Sequence, residues 1–137
     1  MEQLLNTNFT LNPPNSQNNK ISKLLPIKSI DELNDLERQL DDDENKQQLL
    51  QVLQYIGGVN EKACVSRCLE RCFTNYCAMF CSWTGKKDNF RIKDLKSIHI
   101  LRDAVRNTFP NIKDDEFERH VMVWLQFAKT RYDRGKQ

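Results

Sequence analysis

Residues 63–85 read ACVSRCLERCFTNYCAMFCSWTG and hold all five cysteines of the chain, Cys64, Cys68, Cys72, Cys77 and Cys81. Their reading decides between a zinc protein, a disulfide frame and an ordinary helical domain. Cys64, Cys68 and Cys72 are four apart, which on a helix makes one slowly drifting stripe. Three in-line helical thiols cannot surround one ion, and zinc usually takes four ligands, commonly from short C-x-x-C knuckles or Cys/His pairings. Here no CxxC occurs, and the nearest histidine, His99, lies well outside the cluster. An odd cysteine count and an expected reducing compartment count against disulfides. A catalytic thiol needs a polarising histidine or helix N-terminus, and none is legible. Reduced cysteine behaves as a small buried hydrophobe. With Leu69, Phe73, Met79 and Phe80 interleaved, the stretch predicts helical core, with no metal and no cofactor.

The flanking sequence continues the helical pattern. SIDELNDLERQL (29–40) opens on Ser29 with Glu32 three residues on, a capping-box signature. Ile30, Leu33, Leu36, Glu37 and Leu40 follow at helical spacing. The acids Asp41 to Glu44 end that helix and can cap the next, NKQQLLQVLQYIGG (45–58), which Gly57 stops. Asn60 is placed to cap a third helix running to about Phe73, and Thr74 or Asn75 a short fourth, YCAMFCSW (76–83). TGKKDNF (84–90) reads as a loop with a turn at Gly85 and solvated lysines. A helix over IKDLKSIHILRDAVRNTF (92–109) is broken by Pro110. Asp114, Asp115 and Glu116 suit the first turn of a last helix, whose Phe117, Val121, Trp124, Leu125 and Ala128 share a face toward Arg134. The fold class is therefore all-α, a compact single-domain bundle of about five to six helices over residues 26–134. Residues 1–25, rich in Asn, Pro, Ser and Gln, are expected to be a disordered lead-in, and residues 135–137 a frayed tail.

Several function classes lack their chemistry. There is no glycine-rich phosphate loop, no HExxH and no GxSxG, so the chain reads as a non-enzyme. No apolar run reaches the length a membrane span needs, and Glu2 stands where a signal peptide carries basic residues. The expected compartment is the nucleus, or else the cytoplasm. Charge is polarised along the chain: Ile27–Ala63 carries four basic and nine acidic residues, Trp83–Gln137 thirteen basic and eight acidic. A basic half suggests an anionic partner. Two places stand out: Lys86 and Lys87 between Trp83 and Phe90, and the end AKTRYDRGKQ (128–137) with Lys129, Arg131, Arg134 and Lys136 around Tyr132. Cations with an aromatic among them suit phosphate contact. The competing reading of the helix end is a soluble terminus whose cations complement the macrodipole. Trp83 and Phe90 are expected to anchor their loop on the core rather than to stack on bases.

The pieces PIKSIDELNDLERQL, YIGG, SWTGKK, a phenylalanine followed by DLK, AVRNTFP and WLQFAKTR resemble a family of animal proteins known only as a domain of unknown function. The order and spacing match from about Leu25 to Arg131. In the C-terminal half, CLERCF, WTGKK, AVRNTFP and a helix ending WLQFAKTR are also similar in layout to BEN domains, small helical modules of chromatin-associated proteins, some of which bind DNA. That resemblance implies that Lys86, Lys87, Lys129, Arg131 and Arg134 face DNA. The expected partners are DNA or a chromatin-associated protein. The alternative is self-association, or pairing with a relative that carries the same domain, through the acidic first helices and the basic last one.

Overall fold

The computed structural model describes residues 19–135. The expected lead-in over residues 1–18 and the position of Lys136 lie outside the described residues. The described chain is helical, with α1 (Ile30–Gln39), α2 (Asp43–Gln54), α3 (Glu61–Cys72), α4 (Asn75–Ala78), α5 (Lys96–Thr108), α6 (Asp114–Gln126) and α7 (Ala128–Gly135). All but the single turn α4 are eight residues or longer.

The first four helix starts follow from side-chain caps. Ser29 Oγ accepts from the Glu32 amide at 3.1 Å, and Glu32 Oε1 accepts in turn from the Lys28 amide at 3.0 Å. Asp42, Asn60 and Thr74 accept from the amides of Glu44, Ala63 and Cys77 at 2.9, 2.8 and 3.1 Å. Each satisfies a donor that the first turn leaves orphaned. α5 has no cap of its own. Its first amides, Lys96 and Ser97, donate to both carboxylate oxygens of Glu37 on α1, at 2.7 and 3.0 Å. This explains a charged residue on the otherwise apolar stripe of α1: Glu37 faces the positive end of another helix.

α3 lies at the centre, packed on α5 and α6, while α2 packs on α5 and α4 on α7. Leu33, Leu36, Leu49, Leu53, Leu69, Leu101 and Phe117 are fully buried between them. All five thiols are free and buried in the same core.

α2 and α5 start and stop within a few residues of the sequence reading, α5 beginning at Lys96 rather than Ile92, and three larger differences shape the fold. The folded domain begins earlier than residue 26. Ile21 is 0% exposed, and Asn19 ties that turn down by donating to the Gln48 carbonyl and accepting from the Ser22 amide. Burial of one large apolar side chain with its local hydrogen bonds overrides a polar composition. The predicted helix over residues 76–83 stops at Ala78. Cys81–Ser82 (β1) instead pairs in parallel with Phe90–Arg91 (β2), Cys81 opposite Phe90, closing the base of the loop between them. Finally, the last helix is two. The chain leaves the helix at Phe127, and the Trp124 carbonyl accepts from Arg131 Nη1 at 2.8 Å. A side chain inserted into the helix ladder is an ordinary cause of a kink. The kink turns α7 onto α4.

Candidate nucleic-acid interface

The loop closed by β1 and β2 is held from both ends. The amides of Phe90, Ile92 and Lys93 donate to the carbonyls of Phe80, Ser82 and Trp83 at 2.8, 3.1 and 3.1 Å. Trp83 is 7% exposed and Phe90 packs half-buried on the core, so both rings anchor the loop as expected. At the tip, Gly85 takes φ +83°, and Lys87 and Asp88 follow at +57° and +65°. Positive φ suits glycine but costs of order 1 kcal/mol or more for other residues. Two such residues in succession persist because the base of the loop is clamped. The resulting tip presents Lys86 and Lys87 to solvent.

This tip stands across from the α6–α7 elbow, and between them runs a groove of about 490 Å³. Lys86, Lys87 and Lys129 line it together with one carboxylate, Glu118, and an apolar wall that includes Met79, Met122 and Leu125. Residues more than forty positions apart in sequence thus share one cationic site. Lys86 and Lys87 have no carboxylate partner among the described residues. Lys129 pairs with Asp133 at 3.0 Å, both side chains being largely exposed, so the pair is weak and screened by solvent.

The other sequence candidates divide. Arg134 is exposed on α7 and is not part of the groove wall. Arg131 turns inward. Its Nε donates to Asn75 Oδ1 at 2.9 Å, its Nη1 donates to the Trp124 carbonyl, and its guanidinium lies 4.1 Å from the Trp124 ring centroid. Burial holds the guanidinium below its ordinary pKa. Arg131 therefore joins α4, α6 and α7 within the fold.

The surface beside it corrects the sequence reading, which placed Phe80 in the core with the thiols and did not single out Tyr76. Tyr76 and Phe80 pack edge to face at 5.1 Å, and Tyr132 lies 5.5 Å from Tyr76. Tyr76 is 47% and Phe80 43% exposed. Their spacing of four was the available signal, hidden because Cys77 between them and Cys81 just after invite a core reading.

Cys64, Cys68, Cys72 and Cys81 are held protonated. Burial is the main cause for the first three, and it pushes Cys72 up to about 12. The hydrogen bond with Cys77 is the main cause for Cys81. Among the described residues no group of three or more His, Cys, Asp or Glu is placed to hold a metal ion, and no helix is long and apolar enough to cross a membrane.

The sequence pattern of a family described as Domain of unknown function (DUF4806) matches residues 22–107, well over half of the 137 residues. The chain belongs to this family. The matched span runs from the turn at Ser22 through most of α5 and includes the Lys86–Lys87 loop. α6 and α7 lie beyond it. The family segment thus supplies one wall of the groove and the C-terminal segment the other. No curated protein and no solved structure matches the chain.

Proposed function

We propose that this DUF4806 domain is a non-enzymatic nuclear binding module that contacts DNA or chromatin through the groove between the Lys86–Lys87 loop and α7. The observation that carries the reading is convergence. Three lysines from two distant segments line one groove, against a single carboxylate. A positive groove concentrates a polyanion by long-range attraction and by release of its condensed counterions. The strained tip supports the same reading, because left-handed non-glycine residues persist mostly where they position something.

The test is nucleic-acid affinity across a salt series. Affinity should fall linearly on a log–log plot of binding against salt. In the triple variant K86Q/K87Q/K129Q the slope should drop by about one for each phosphate that is no longer neutralised. No binding at low salt, or a slope untouched by the triple variant, overturns the proposal. A salt-sensitive dimer by light scattering in a protein without nucleic-acid affinity would instead support self-association through the acidic α1–α2 surface and the basic end.

A further inference from the structure

The cationic groove and the exposed aromatic cluster are built on the same two segments. The segment from α4 to β1 gives Tyr76 and Phe80 to the cluster and Met79 and Cys81 to the groove wall. α7 gives Tyr132 to the cluster and Lys129 to the groove. Met79 and Phe80 are adjacent in sequence, and Lys129 and Tyr132 are three apart on α7, so each segment carries a ring within one residue or one helical turn of a groove residue. The core does not account for these rings: Tyr76 and Phe80 are nearly half exposed, although burying them would be worth a few kcal/mol.

We propose that this combined surface takes single-stranded nucleic acid, with bases stacked on Tyr76 and Phe80 and phosphates held by Lys86, Lys87 and Lys129. The inference rests on the polyanion reading of the groove and narrows it. A duplex offers a protein its phosphates and base edges, while its base faces are stacked on one another. Exposed aromatic rings gain little from such a ligand. A single strand offers base faces and phosphates together, and stacking on aromatic side chains beside a basic groove is how sequence-tolerant single-strand binding is achieved. Tyrosine and phenylalanine are well suited, having large apolar faces and few rotatable bonds. The lone carboxylate, Glu118, leaves the groove net positive.

The experiment compares fluorescence anisotropy of labelled oligo-dT, oligo-rU and a matched duplex, each of about 16 nucleotides or base pairs, with the full chain at low salt. One or both single strands should bind about tenfold more tightly than the duplex, and the two oligomers distinguish DNA from RNA. Y76A and F80A should each weaken single-strand binding about fivefold or more and leave duplex binding unchanged. Y76L/F80L keeps apolar bulk without a ring, so it should remain folded and show the same loss. K86Q/K87Q/K129Q should weaken binding of every ligand. A duplex bound as tightly as the single strands, or single-strand affinity indifferent to the leucine variant, overturns the inference while the polyanion reading stands. Absence of binding to all three probes overturns both.

Discussion

At the scale of single residues, charge alone does not say which way a basic side chain faces. Lys129 and Arg131 are two positions apart on α7, yet Lys129 lines the groove while Arg131 is turned into the protein. Helical geometry separates neighbours two apart by about 200°, so one of them must face α4 and α6. The inward residue is the one with a planar, forked head, which bonds Asn75 and the Trp124 carbonyl while lying over the Trp124 ring. Lysine cannot make that set of contacts. Arg131→Lys should therefore destabilise the protein by about 1–3 kcal/mol although the charge is kept. Lys129→Gln should change stability by no more than about 0.5 kcal/mol. Urea denaturation of the two variants checks both. The cluster AKTRYDRGKQ was legible as basic. Its division into an outward and an inward cation was not, because the kink at Phe127 has no proline or glycine to announce it.

At the scale of elements, most helix starts could be read from their caps, since Ser29, Asn60 and Thr74 act on amides three residues away. The α5 start could not, because its cap is Glu37, about sixty residues earlier. The YIGG corner between α2 and α3 shows how two adjacent glycines serve different needs. Gly57 takes φ +59° with open space around a would-be Cβ. At Gly58 a Cβ would stand 2.6 Å from the Cys64 amide nitrogen and 2.8 Å from its Cα. Backbone cannot yield as a side chain can, so Gly58→Ala must push α3 away from the corner. We expect it to cost about 3 kcal/mol or more. Gly57→Ala should cost about 1–2 kcal/mol for its left-handed backbone. Thermal melts should rank the two in that order, and equal losses would contradict the close approach to α3.

At the scale of the whole molecule, the five thiols form part of one core fed by α3, α4 and β1. The ionisation of the four whose pKa is raised, Cys64, Cys68, Cys72 and Cys81, couples to global stability. A thiol whose folded pKa is raised ionises first in the unfolded chain. Its stabilising contribution is complete below the unfolded value and is lost as pH rises above it. For Cys72 the window runs from its ordinary 9.0 to about 12, with a slope of up to about 1.4 kcal/mol per pH unit. Denaturation midpoints should fall from pH 9 upward, and Cys72→Ala should flatten that fall. A thiol-specific reagent should find no reactive cysteine in the native protein at pH 8 and five after denaturation.

Hydrophobic period, caps and the reading of cysteine as filler are local properties, carried by residues within a few positions of one another. They were sufficient for an all-helical domain and for most of its helix starts. The place where Lys86, Lys87 and Lys129 meet was different in kind. It needed the clamped loop, the α6–α7 kink and the packing of α7 on α4. Each depends on contacts between residues far apart in the chain, and no pattern of near neighbours encodes such distances.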